Sequence, residues 1–206
     1  DTDTILRARR DAELSATGST TGPAIRADIL ALGADVVTCE VLVNTTNTTD
    51  ADGVPPHSFE AGLYHQGTLD LTDLARTIWQ NQAAGITSTG TTHITFVDEY
   101  GVTRDAWYTP VAQVPIYLTY TLTTGTGYVG ATTFKSDIAA AMTRISDPGA
   151  DVIALRAEAL ALVEGGVLDV TDFRLGTTST PTGTTNIVIN PRQVATFDPT
   201  HITLTA

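Results

Sequence analysis

The residues best suited to chemistry in this sequence lie in one loop, at positions 44–60. Asp50 and Asp52 stand there in an Asp-Ala-Asp-Gly run that resembles a calcium-binding loop. An EF-hand loop places oxygen ligands at fixed alternate positions and ends on a bidentate glutamate at its twelfth. In this loop Thr48 takes the first position and Phe59 the twelfth. The spacing therefore favours a turn satisfied by its own polar side chains over a calcium site.

The same loop leads into a group that could hold zinc or activate a nucleophile. His57, Glu60 and His65 are close in sequence, but alternate residues of a strand point to opposite faces, so Glu60 faces away from both histidines. Ser58 likewise points away from His57. Neither an H-E-x-x-H helix nor a G-x-S-x-G elbow occurs. We therefore predict no catalytic residue, no metal ligand and no cofactor, and we expect that the protein is not an enzyme.

Pairs of carboxylates elsewhere could in principle serve a glycosidase, which uses two acidic residues. Solvated turns and helix N-termini explain such pairs more simply. A glycine-rich run precedes a predicted helix, but it is not followed by the acidic residue that binds the ribose in a dinucleotide site. These candidates are the pairs Asp50/Asp52, Asp70/Asp73 and Asp169/Asp172, and the glycines Gly125, Gly127 and Gly130.

Composition excludes several classes of partner. The 23 acidic and 11 basic residues give a net charge of −12, which would repel nucleic acid. No apolar run approaches the roughly 20 residues that a membrane span needs. The single cysteine, Cys39, cannot form an intrachain disulfide and is predicted to be a small buried residue. Because the sequence begins at Asp1 without methionine, we expect a fragment or a processed form.

Periodicity predicts the elements that would position these residues, and together they indicate an α+β fold. We interpret it as two α-β-β modules flanking a central insert of helix, hairpin and long strand. The predicted segments are residues 1–66, 67–128 and 129–206. The predicted helices cover residues 2–14, 24–32, 71–85, 134–145 and 152–163, and the predicted strands cover 36–43, 58–64, 92–97, 102–108, 114–122, 167–175 and 186–190.

Several of these segments resemble, in the same order, the baseplate J family, the wedge protein of contractile phage tails. The most specific is residues 44–60, which is similar to the family's N-x-T-D-x-x-D-x-D-G-x-P-P-H-S-F-E segment. Ala34 and Asp35 depart from the usual Gly-Val that opens the preceding strand. The other similar segments are residues 1–10, 24–30, 78–86, 110–117, 166–172 and 186–189.

The resemblance implies the C-terminal portion of a wedge protein, located in the tail baseplate of a virion and assembled in the host cytoplasm. It implies contacts with neighbouring wedge, hub or spike, and tail-fibre attachment proteins, and self-association around a six-fold assembly. Possible interface residues are Trp107, Pro55, Pro56 and Phe59. The apolar neighbours of Trp107 favour a core position, whereas its place on a hairpin edge and the enrichment of tryptophan at hot spots favour an interface. A tailocin or other contractile injection system and a glycan-binding tail module remain open as alternatives.

Overall fold

The computed structural model describes residues 20–205, which form four helices and eight strands in two sheets. This confirms the α+β class. The chain divides into two units, the first ending at Val111 and the second beginning at Ala112. That boundary falls inside the predicted central segment 67–128, whose helix and hairpin belong to the first unit and whose long strand belongs to the second. The helix predicted for residues 2–14 lies outside the described residues.

The first unit contains two helices and a five-stranded mixed sheet. Its strands run in the order β1-β2-β5-β4, with the short β3 beside β2. β1 pairs antiparallel with β2, β2 parallel with β5 and with β3, and β4 antiparallel with β5. The elements are α1 (Gly22–Leu30), β1 (Val36–Asn44), β2 (Ser58–His65), α2 (Leu71–Gln80), β3 (Thr87–Thr89), β4 (Thr92–Val97) and β5 (Thr103–Pro110).

The core of the first unit lies between its helices and one face of the sheet. The apolar spacing of Leu71, Leu74, Ala75 and Ile78 predicts the buried stripe of α2, and the last three are fully buried whereas Leu71 is 41% exposed. Asp70 caps this helix by accepting hydrogen bonds from two backbone N–H groups. Cys39 is fully buried in the same core, as predicted. The helix ends at Gln80, earlier than the predicted end at residue 85.

The second unit contains two helices and a three-stranded sheet with β6 in the middle. β7 pairs antiparallel with one edge of β6, and β8 pairs parallel with the other. The strict alternation of β6 places Ile116, Leu118 and Tyr120 in the core, where all three are fully buried. The elements are β6 (Ala112–Thr124), α3 (Ala131–Arg144), α4 (Ala154–Leu162), β7 (Val167–Gly176) and β8 (Gln193–Thr205).

The order helix-strand-strand occurs in both units, but the two strand pairs are built differently. β1 and β2 pair directly, whereas β7 and β8 are separated by β6. The segment predicted as a strand at residues 186–190 contributes only one bridge, from Ile187 to Val152. The closing strand is instead β8, which the sequence interpretation missed.

The helix α4 corrects a second prediction. The helical spacing of Val152, Leu155, Ala159, Leu162 and Val163 predicts a buried stripe. Val152, just before the helix, is buried, but Leu155, Leu162 and Val163 are 72%, 48% and 77% exposed. The buried residues of the helix are alanines at positions 154, 157 and 161. The Tyr120 hydroxyl donates a hydrogen bond of 2.9 Å to the Ala157 carbonyl, a close approach that small side chains permit. The helix is therefore rotated relative to the prediction.

Candidate interaction surfaces

The loop between β1 and β2, residues 45–57, is held by the side chain of Asn44, the last residue of β1. This side chain is buried, and its amide nitrogen donates hydrogen bonds of 2.8 Å to the carbonyls of Thr48 and Val54. Its oxygen accepts from the Thr46 backbone N–H at 2.9 Å and from the Thr46 hydroxyl at 2.7 Å. One side chain thus fixes both ends of the loop.

The aspartates of this loop also serve its backbone. A carboxylate oxygen of Asp50 accepts hydrogen bonds from the backbone N–H groups of Asp52, at 3.0 Å, and Val54, at 2.8 Å. This is the Asx turn expected of an Asp-x-Asp-Gly segment. Within residues 20–205, no group of three or more histidine, cysteine, aspartate or glutamate side chains could hold a metal ion.

The three residues considered for zinc are placed separately. His57 has a φ of 51° and its ring nitrogen Nε2 lies 2.8 Å from the Asn47 side-chain oxygen. Glu60 is buried and accepts a hydrogen bond of 2.6 Å from the Thr109 hydroxyl, which ties β2 to β5. His65 closes β2, eight residues after His57 in the chain. The structure therefore does not bring these side chains together.

The possible interface residues fall into two groups. Pro55 and Pro56 are exposed at the end of the loop, and the Pro55 carbonyl accepts a 2.6 Å hydrogen bond from the Ser58 hydroxyl. Phe59 corrects the expectation, because it is only 1% exposed and belongs to the core of the first unit. Its side chain packs against apolar neighbours and is not available to a partner.

Trp107, the remaining interface candidate, lies on the sheet of the first unit and is 38% exposed. It pairs across β5 and β4 with His93, and the two rings stack with centroids 4.3 Å apart. A hydrogen bond of 2.8 Å joins His93 Nε2 to the Asp105 carboxylate. This stacked aromatic pair next to a carboxylate is an exposed polar and aromatic surface that the sequence pattern alone did not reveal.

A small groove lies near the tip of the β4–β5 hairpin, with a volume of about 80 Å³. Asp98 makes an ion pair of 2.8 Å with Arg104, whose guanidinium lies 4.7 Å from the centroid of the Trp79 ring. Hydrogen bonding from the Val102 backbone N–H, together with Arg104, keeps the pKa of Asp98 below its usual value. These contacts hold the hairpin against α2, and the groove is too small for a drug-sized ligand.

A larger groove in the second unit runs beside α4 and has a volume of about 380 Å³. Leu155 and Glu158 of α4 form part of one wall. Asp172 and Arg174 of β7 line it as well and form an ion pair of 3.0 Å. The groove therefore adjoins the exposed apolar side of α4.

Comparison with known proteins adds no relative: no protein-family model and no curated protein matches the chain. Across residues 20–205, none of the helices has the length and apolar character needed to cross a membrane.

Proposed function

We propose that this protein is a structural wedge component of a contractile phage tail baseplate. In that role it would link the central hub and tube to the peripheral baseplate and transmit the rearrangement that triggers sheath contraction. The observation that carries the proposal is the ordered resemblance along the chain, which is most specific at residues 44–60. A wedge acts through packing and interfaces that switch between arrangements, and it requires no reactive group.

The contacts of the resembling segment support a positional role for it. The polar side chains of the loop bond its own backbone, as Asn44 and Asp50 illustrate, and so they hold it in one shape. Pro55 and Pro56 then present a stiff, exposed segment before β2 begins. A fixed, exposed loop of this kind suits contact with a neighbouring protein.

The proposal predicts that the chain forms complexes with itself or with adjacent wedge, hub or tail-fibre attachment proteins. Size-exclusion chromatography with light scattering, at increasing concentration and with each neighbour added in turn, should show a species larger than the monomer. Imaging of intact particles with the chain labelled should place it at the tail baseplate. The proposal would be overturned if the chain stayed monomeric under every condition and no label were found on the particles. Labelled tailocins or injection systems would reassign the wedge to that class of particle.

A second candidate function, glycan binding by a tail module, is favoured by the stacked Trp107 and His93 rings next to Asp105. Aromatic faces and a carboxylate can contact the apolar and hydroxyl-bearing sides of a sugar. This function predicts reproducible binding on a host-polysaccharide array. Trp107→Ala should reduce that binding by about tenfold or more, as for a hot-spot aromatic residue.

The matched control for this test is Tyr100→Ala, which removes another exposed aromatic side chain of the same unit. Tyr100 is 81% exposed and lies at the tip of the hairpin. Its substitution should leave glycan binding unchanged. Equal losses in both variants, or no binding by the unmodified protein, would remove glycan binding as a candidate.

A further inference from the structure

The helix α4 carries an apolar surface that the second unit itself does not cover. Leu155, Ala159, Leu162 and Val163 are all exposed, and they are spaced at i, i+4, i+7 and i+8, which places them on one side of a helix. We refer to these four residues as the α4 face. Single exposed leucines are ordinary, but a contiguous apolar stripe of this kind marks an interaction site.

The opposite side of the helix explains why the α4 face is free. Ala154, Ala157 and Ala161 are buried against the core of the second unit, and the Tyr120 hydroxyl bonds the Ala157 carbonyl. The helix therefore buries its small residues and exposes its large ones. Because burial of large apolar side chains is favourable, this arrangement leaves a substantial driving force for association unused in the described part of the chain.

The charges around the α4 face indicate the kind of partner. Glu158 lies on α4 and Glu164 follows the C-terminal end of this helix, and Asp137 of α3 interacts electrostatically with Glu164. None of these three carboxylates forms an ion pair with another residue of the described range 20–205. Burial, and secondarily Asp137, raises the pKa of Glu164, as expected for a carboxylate that lacks a nearby cation. Arg156 is the one basic residue of the helix.

The groove next to the α4 face has the same character. Leu155 supplies apolar surface to it and Glu158 supplies a carboxylate, while Asp172 is already paired with Arg174. Apolar surface flanked by unpaired carboxylates is complementary to an amphipathic helix whose apolar stripe is flanked by lysine or arginine.

We propose that the α4 face and its adjoining groove form the docking site for a basic amphipathic helix of a partner protein. This docking site is argued from the residues of the α4 face and its groove, and it does not require that the protein belong to a baseplate. Its failure would therefore leave the baseplate proposal standing, and failure of the baseplate proposal would leave the docking site to be tested on its own.

The test uses two synthetic helical peptides of about 18 residues, long enough to form a helix. Both peptides carry the same leucine stripe. In the basic peptide the stripe is flanked by lysine and arginine, and in the acidic peptide it is flanked by glutamate. Fluorescence anisotropy with the full chain should show binding of the basic peptide only, weakening as salt is raised. The double variant Leu155→Ser/Val163→Ser should lower this affinity by about tenfold or more.

A second double variant tests the contribution of the carboxylates, and a single variant serves as the control. Glu158→Gln/Glu164→Gln should weaken binding of the basic peptide and flatten its dependence on salt, because the attraction between opposite charges is lost. Val97→Ser is the matched control, since Val97 is 58% exposed but belongs to the first unit. It should bind the basic peptide as the unmodified chain does. Circular dichroism should show unchanged folding in every variant, because Leu155, Val163 and Val97 are exposed and the two glutamates are only half-buried.

Three outcomes would overturn the proposal. Equal binding of the two peptides would show nonspecific apolar adhesion, and absence of binding by either would show that the surface is not a docking site for such a helix. Self-association of the chain that disappears in Leu155→Ser/Val163→Ser would assign the α4 face to a second copy of the protein.

Discussion

Gly166→Ala is expected to destabilise the second unit by about 3 kcal/mol or more, the largest loss that we predict for a substitution adding a single methyl group. Gly166 has a φ of +75°, a left-handed conformation that costs an alanine about 1–2 kcal/mol. An added Cβ would also lie 2.1 Å from the Tyr128 backbone nitrogen. Unlike the end of a flexible side chain, backbone cannot move aside without disturbing its own hydrogen bonds.

Those hydrogen bonds are visible in the structure. The Gly125 N–H donates to the Gly166 carbonyl at 2.8 Å, and the Val129 N–H donates to the Gly165 carbonyl at 3.2 Å. Separating the two segments to admit a methyl group would weaken both bonds, each worth about 1 kcal/mol. The loss therefore combines conformational strain with disrupted backbone pairing.

Gly127→Ala is the matched control for Gly166→Ala. Gly127 lies in the same unit with a φ of +89°, but its Cβ would meet no atom within 4 Å. We expect a loss of about 1 kcal/mol from the conformation alone. Urea denaturation followed by far-UV circular dichroism measures both losses, because both tryptophans, Trp79 and Trp107, lie in the first unit and so do not probe the second. Similar midpoints for the two variants would contradict the close approach at Gly166.

Local periodicity predicted most of the elements because one side of each packs against a core. The stripe from Leu71 to Ile78 predicted α2, and the alternation of β6 predicted a half-buried strand whose Ile116, Leu118 and Tyr120 are fully buried. α4 shows the limit of this reasoning. Its alanines and its larger apolar residues both have helical spacing, and only packing against the core of the second unit, including the contact with Tyr120, determines which side is buried.

The strand β8 was missed because its apolar alternation is broken at the point where its register against β6 shifts. Its register against β6 passes from Phe197 to Ile202 while β6 advances only from Ile116 to Leu118. The intervening segment Asp198-Pro-Thr-His, which lies within β8, contains a proline, and Asp198 accepts a 2.7 Å hydrogen bond from the Thr200 N–H. A strand that pairs in parallel with a distant partner across a bulge gives little local signal.

The candidate surfaces were predictable to different degrees. Trp107 was an interface candidate from its residue type and its place on a predicted hairpin edge, but its stacking on His93 follows from the register of β4 against β5, which no local pattern fixes. Phe59 was placed wrongly because β2 lies inside the sheet and its residues 58–63 are all buried, which the local sequence did not indicate. The α4 face emerged only when the structure reversed the predicted orientation of the helix.

Asn44→Asp is expected to destabilise the first unit by about 3 kcal/mol, although the two side chains have nearly the same shape. Asn44 is 3% exposed, and its amide nitrogen donates to the carbonyls of Thr48 and Val54. An aspartate removes both donors and places a carboxylate oxygen against two carbonyl oxygens. Each lost hydrogen bond costs about 1 kcal/mol, and burial of the introduced carboxylate against the carbonyl oxygens accounts for the rest of the expected loss.

The pH dependence of this variant has a defined sign. Burial and the facing carbonyl oxygens should raise the pKa of the introduced carboxyl above its unfolded value of about 4. Because the raised pKa belongs to the folded state, protonation favours folding, and the stability gap to the unmodified protein should narrow as pH falls towards that range. A gap that is constant or widens on acidification would contradict burial of this side chain.

Asn47→Asp supplies the matched control for Asn44→Asp, because it makes the same chemical change in the same loop at an exposed side chain. The Asn47 oxygen contacts only the ring of His57, at 2.8 Å, and an aspartate can keep that contact. We expect a change within about 0.5 kcal/mol. Denaturation followed by tryptophan fluorescence measures both variants directly, since Trp79 and Trp107 belong to this unit. Equal effects would show that Asn44 does not organise the loop, and therefore that its hydrogen bonds do not hold Pro55 and Pro56 in place as a contact surface.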